Sequence, residues 1–283
     1  MTEIKNTEFG GERPLFGSQD LILENVTIHA GESAIKNCSN ITAINCRFEG
    51  KYPFWHVDSF RIDHCLFTPG ARAALWYSRG LHMTDTIVEA PKMFREMSDL
   101  TLERVRIPDA QETMWHCDHV TLRDVVVSNA DYLFMHSSDI DIDHYEQHGN
   151  YSFQYCRNVT IRNAHIDSKD AFWNTEDVTV YDSVLNGEYL GWHSRRLHLV
   201  RCHIEGTQPL CYCHDLILED CTFGPDADLA FEDSTLSAVI IGNIASIKNP
   251  TSGTIIVSGK VGELIHDQYA KAPDNCVIKV EEA

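Results

Sequence analysis

Positive charge is scarce in this chain. Against 42 Asp and Glu there are 23 Lys and Arg, leaving a net charge of −19 over 283 residues and a pI near 5.1. Phosphate backbones and anionic bilayers are held by clustered Lys and Arg, so neither nucleic acid nor a membrane surface is an expected partner. No run approaches the roughly 18 consecutive apolar residues of a membrane helix. The opening Met1-Thr2-Glu3-Ile4-Lys5 has no apolar core and no small-residue cleavage site, which places the expected location in the cytoplasm. There is no HExxH, nucleophile elbow, phosphate loop or dinucleotide fingerprint. Nor is there a CxxC pair, and Cys211 and Cys213 with His214 lack a second pair at zinc-site spacing. No window carries helical periodicity.

What the chain has instead is a repeat. Two apolar residues one apart recur eleven times at intervals of nineteen to twenty-one, beginning with Leu21/Leu23, Ile41/Ala43 and Phe60/Ile62 and ending with Leu197/Leu199 and Leu216/Leu218. A fixed period of this size marks a solenoid, and alternation of apolar and polar residues within each unit marks strands. Turn signals such as Glu49-Gly50, Pro69-Gly70, Ser128-Asn129 and Asn186-Gly187 separate the runs. Leucine-rich repeats would show a Leu ladder with a fixed Asn. The expectation is therefore an all-β fold, a single-stranded right-handed parallel β-helix of about eleven coils stacked about 4.8 Å apart. As domains, this gives one unit over 1–283, with an N-terminal cap at 1–17, coils at 18–233 and a C-terminal β cap at 234–283.

The ten cysteines follow the repeat. Cys46, Cys65, Cys202 and Cys221 sit five residues after the first apolar position, and Cys38, Cys117, Cys156 and Cys213 sit three before it. Their column-mates are Val, Ala, Ser, Thr and Met, as suits a small buried side chain, so reduced structural thiols are expected. Four residues after the apolar position a polar column runs from Asn25 and Asn45 through His64, Asp85 and Arg104 to Asp220. It is read as a structural bend position.

Three upstream columns carry the chemistry. Four residues before the apolar position stand His56, Tyr77, Glu96, His116, His136, Tyr155, Asn174, His193 and Tyr212. Eight before it stand Lys92, Glu112, Tyr132, Tyr151, Asp170 and Tyr189. Between them lie Phe54, Phe94, Phe134, Phe153 and Phe172. Positions two and four apart share a face of a strand, which predicts a solvent-facing strip with an aromatic middle and Tyr, His and acid edges. A kinked strand would instead turn the Phe column inward and Trp55, Trp76, Arg95, Trp115, Trp173 and Trp192 outward. The first register is favoured, because the small Cys/Ser/Thr column matches the parity of the Trp positions.

Stacked identical rings stabilise β-helices without any ligand, so the Phe column reads as ladder or core. The His, Tyr and acid columns change chemistry from coil to coil, as a site requires. The candidate catalytic residues are Lys92, Arg95, Glu112, His116 and His136, with the two imidazoles suited to acid–base work near neutral pH. The candidate substrate-binding residues are Trp115, Tyr132, Tyr155, Asp170, Trp173, Asn174, Tyr189, Trp192, His193 and Tyr212. Glu112 and Asp170 stand three coils apart, beyond the separation of a glycosidase carboxylate pair. No metal set is assigned, although His116, His136 and Glu112 are weighed as one, and no cofactor is named.

Several segments, among them Gly11-Glu12-Arg13-Pro14-Leu15-Phe16, Pro91-Lys92-Met93-Phe94-Arg95, His148-Gly149-Asn150-Tyr151 and Gly187-Glu188-Tyr189-Leu190-Gly191-Trp192-His193, resemble a bacterial domain-of-unknown-function family with a pectate-lyase-like β-helix. The resemblance covers essentially the whole chain. It implies a right-handed parallel β-helix and no particular activity. The wider class includes pectate lyases and polygalacturonases, but the acidic calcium cluster of the former and the Asp cluster of the latter are not evident here, and fold does not give function.

The leading expectation is an intracellular carbohydrate-directed enzyme, a hydrolase, lyase or isomerase on a small glycan or sugar acid. One alternative is a non-catalytic binding or scaffold protein with structural ladders. The other is a metal-dependent enzyme using the His column. A small-molecule or carbohydrate ligand is the expected partner, and a homo-oligomer is left open.

Overall fold

The structure is a computed structural model and describes residues 1–271 and 275–281. The fold is an all-β parallel β-solenoid of about 15 turns. Contacts divide the chain into two compact units, Met1–Glu146 and Gln147–Ala283. Among the described residues no helix is long and apolar enough to cross a membrane.

In the first unit each apolar pair lies directly over its counterpart. Leu21 pairs with Ile41, Ile41 with Phe60, Phe60 with Leu81, Leu81 with Leu100 and Leu100 with Val120, all in parallel. The period-two alternation sends these residues inward, and Leu23, Ile62 and Leu102 are fully buried. In the second unit the same register links Val159, Val178 and Leu197, and Leu199 with Leu218.

The coil count exceeds the eleven expected because the regions assigned as caps are themselves coiled. Thr2–Lys5 pairs in parallel with Leu21–Glu24, and Glu8–Glu12 with Thr27–Glu32. At the other end Thr235–Ile240 pairs with Ser252–Val257, which pairs with Cys276–Val280. The period there falls to 17 residues (Thr235 to Ser252) and then rises to 23 (Gly253 to Cys276), which hides these coils from a search at nineteen or twenty. Residues 272–274 and 282–283 of the region assigned as the C-terminal cap lie outside the described residues.

The favoured strand parity is overturned. Phe54, Phe94, Phe134, Phe153 and Phe172 are fully buried, while Trp55, Trp76, Arg95, Trp115, Trp173 and Trp192 lie on the outer side. The reason is backbone conformation. From the coil of Tyr52, Phe54 and His56 to that of Gln208, Leu210 and Tyr212, the residues eight, six and four before the apolar position are left-handed, as in Lys92, Phe94 and Glu96 (φ 60°, 54°, 50°) or Glu112, Met114 and His116 (φ 49°, 58°, 54°). Such a segment turns instead of running extended, so strand alternation does not apply. Met93 and Phe94 are consecutive and both buried, Arg95 and Glu96 face outward, and Met97 is buried again.

The small column three residues before the apolar position is interior, as expected, but its members do more than fill space. Cys117 Sγ donates to Phe94 O at 3.0 Å and Cys213 Sγ to Gly191 O at 3.1 Å. In the same column Ser78 Oγ reaches Phe54 O at 2.7 Å and Ser194 Oγ reaches Phe172 O at 2.8 Å. Each satisfies a carbonyl of the preceding turn, which explains why thiol and hydroxyl interchange there. No disulfide joins the cysteines of the described residues, and nine of the ten are buried. The polar column from Asn25 to Asp220 is left-handed throughout, as a bend requires. Its side chains also bond one another between coils, with Arg104 on both oxygens of Asp85 at 2.8 Å.

Candidate functional site

In the first unit the outward row is a continuous ladder. Trp55 and Trp76 stack with ring centroids 5.5 Å apart and planes 7° from parallel. The Arg95 guanidinium carbon follows, 4.8 Å from the Trp76 ring and 4.0 Å from the Trp115 ring. Each polar N–H of the ladder is used by the next coil: Trp55 Nε1 donates to Ala73 O at 2.6 Å, Trp76 Nε1 to Lys92 O at 2.6 Å, and Trp115 Nε1 to Tyr132 O. Arg95 does the same, its Nε donating to Glu112 O at 3.1 Å, so guanidinium and indole occupy equivalent places. The inner faces of this stack are covered by neighbours, which leaves the indoles of its interior to meet solvent by their edges.

Three of the candidate catalytic residues are joined to one another. Arg95 Nη2 donates to Glu112 Oε2 at 2.7 Å, and Lys92 Nζ lies 3.1 Å from both carboxylate oxygens. Partial burial pushes the Glu112 carboxyl up, but Arg95 and Lys92 outweigh it and hold it below the usual range. The other two, His116 and His136, stack at 5.1 Å with planes 4° apart. Partial burial, with the neighbouring His116, holds the His136 imidazole below its ordinary value. An open cleft of about 430 Å³ lies beside His116, lined by Glu96, Met97, Ser98, His116 and Asp118. Tyr132 stands on the outer surface, 37% exposed.

The second unit gathers the remaining aromatics. Trp173 and Trp192 lie 5.5 Å apart at 32°, Tyr189 packs edge-on against Trp192 at 4.9 Å, and His193 stacks on Tyr212 at 4.9 Å and 14°. Trp192 Nε1 donates to Gln208 O at 2.7 Å. Burial, with nearby His214, lowers His193. Tyr155 and Asn174 lie in the exposed row, their backbone amides bonded to Trp173 O and Trp192 O at 3.0 and 2.8 Å. Asp170 is different: it is only 7% exposed, and burial raises its carboxyl.

One cluster in the second unit escaped the sequence reading. His148 Nδ1 and His165 Nε2 both donate to the Asp167 carboxylate, to Oδ2 at 2.7 Å and Oδ1 at 3.0 Å. Asn186 Nδ2 adds a third bond at 3.1 Å. Burial pushes Asp167 up, but the bonds from Asn186, His148 and His165 outweigh it and keep it low. The signal was present: His148, Asp167, Asn186 and Glu205 form a column eight residues after the apolar position, with intervals of nineteen. In the first unit Asp63, His64 and Asp85 bring one donor atom each within 4.8 Å of one another, on an exposed surface where Arg104 already binds Asp85.

A parallel β-solenoid with an outward ladder of indole, guanidinium and imidazole is thus the class of protein that fold and surface define. A family model described as a protein of unknown function (DUF3737) matches residues 2–279, and the chain belongs to that family. No curated protein matches it. Among solved structures it is similar to a pentapeptide repeat protein involved in heterocyst differentiation regulation from the cyanobacterium Nostoc, at 10% identity over 83% of this chain and 85% of that one, with a TM-score of 0.32. It is also similar to the A-module of a mannuronan C-5 epimerase of Azotobacter vinelandii, at 9% identity over 99% and 86% of the chains and a TM-score of 0.31. A tailspike protein of an E. coli bacteriophage, in complex with a hexasaccharide, matches at 10% identity over 93% of this chain and 54% of that one, with a TM-score of 0.32. These likenesses are distant.

Proposed function

We propose that the protein binds an extended carbohydrate along the outward His and Tyr row of its first unit, without catalysis. The observation that carries this reading is the spacing of that row. His56 and Tyr77 stack 5.1 Å apart and His116 and His136 5.1 Å; within the second unit His193 and Tyr212 repeat the spacing at 4.9 Å. This is close to the length of one hexose in an extended chain, so each sugar lying along the row meets one hydrogen-bonding group. Lys92, Arg95 and Glu112 are engaged with one another, which favours a scaffold role for them over proton transfer. Ten cysteines with no disulfide among the described residues support a reducing, cytoplasmic setting.

A second reading, a carbohydrate-directed hydrolase, lyase or isomerase, is favoured by the cleft beside His116, where Glu96 and Asp118 accompany a stacked imidazole pair. The test is a thermal-shift and calorimetric screen of oligosaccharides and uronic acids, comparing the native protein with the His116→Ala/His136→Ala variant. Saturable stabilisation by an oligosaccharide, lost in the variant, with the sugar recovered intact, supports binding. Recovery of a shortened, unsaturated or isomerised product transfers the case to the enzyme. Absence of any shift sinks both.

A further inference from the structure

We propose that His148, His165 and Asp167 form a binding site for a borderline divalent transition cation such as Zn²⁺ or Co²⁺, separate from the His116/His136 row. Two imidazoles and a carboxylate are the donor set such ions favour. Ligand atoms sharing a tetrahedral Zn²⁺ with bonds near 2 Å lie about 3.3 Å from one another. His148 Nδ1 is 2.7 Å from Asp167 Oδ2 and His165 Nε2 is 3.0 Å from Oδ1, so each imidazole already stands near ligand separation from one oxygen of the same carboxylate, and one ring must swing toward the oxygen that ligates.

The two ring nitrogens must also approach each other. Their ring centroids are 6.1 Å apart and the planes 51° from parallel, and both side chains are about half exposed, so ion binding requires the rings to rotate together about the carboxylate. Each imidazole binds through the nitrogen that now faces Asp167 and carries its proton on the other ring nitrogen. The ion thus replaces two N–H···O bonds with two N–metal bonds and one O–metal bond. Asn186 Nδ2, on Asp167 Oδ1 at 3.1 Å, orients the carboxylate from outside the ligand set, as outer partners do in metal sites. Water completes the coordination. The net charge of −19 raises the local concentration of cations.

The experiment uses untagged, chelator-stripped full-length protein. Zn²⁺ is titrated by calorimetry, and Co²⁺ is followed by its visible absorption bands. One saturable equivalent is expected, weakened at least about tenfold in Asp167→Asn and in His165→Gln. The Gln amide can keep a hydrogen bond to Asp167, so a cluster held together by hydrogen bonds alone tolerates that change. The His116→Ala/His136→Ala variant should bind the ion as the native protein does, whatever becomes of its glycan binding. No saturable equivalent in the native protein overturns the proposal. Undiminished binding in Asp167→Asn and His165→Gln, or loss in the His116→Ala/His136→Ala variant alone, also overturns it.

Discussion

Arg95 lies against Trp115, its guanidinium carbon 4.0 Å from the ring centroid, and it hydrogen-bonds the following coil as an indole would. The residue is thus a ladder rung that also carries a charge, and Glu112 answers that charge. Arg95→Ala removes the stacking, the carbonyl bond and one partner of Glu112. It should cost about 2–3 kcal/mol, whereas Arg95→Trp, which restores ring and N–H donor, should cost less. Denaturant midpoints of the two variants check this order.

The interior Phe column makes a sharper claim about parity. Phe94 is fully buried, so Phe94→Ala should lose about 3–5 kcal/mol through the cavity it leaves. A surface ladder would lose far less. Equilibrium unfolding by urea is the measurement.

His136 predicts a pH effect with a definite sign. Its folded-state pKa lies below the ordinary 6.5, so the neutral form is favoured by folding. The stability it contributes is fully present above 6.5 and is lost as pH falls through the folded pKa. His29 and His119, raised by neighbouring carboxylates, slope the other way. The informative quantity is therefore the difference between native protein and His136→Gln, which should shrink on acidification from about pH 7.5 to 5. An NMR titration of the His136 ring should give a midpoint below 6.5.

Thiol chemistry gives a fourth outcome. Burial pushes Cys117 and Cys211 up to about 12, and nine of the ten thiols are buried. In the folded protein a thiol reagent should reach Cys276 first, the half-buried one, and the remainder only on unfolding. Time courses in buffer and in denaturant, with the labelled peptide identified by mass, decide it.

Much of this was legible in the residues. The eleven apolar pairs, the bend column from Asn25 to Asp220 and the buried small column all stand where a period of nineteen to twenty-one placed them. The terminal coils were missed because their period departs from nineteen to twenty-one or their apolar pairs weaken, as in Thr2–Lys5. The His148, His165 and Asp167 cluster was missed because it lies eight and six residues downstream of the apolar position, on the side left unaligned.

Repetition alone determined that the chain coils, since a polar and apolar pattern renewed at one interval can bury its apolar face only by stacking turn on turn. Which way Phe94 and Arg95 point was decided only by tertiary structure. Left-handed φ at Lys92, Phe94 and Glu96 is stabilised by bonds to the coil on either side, such as Lys92 N to Gln111 O and Phe94 N to Ala74 O. Those bonds exist only once the neighbouring coils are in place.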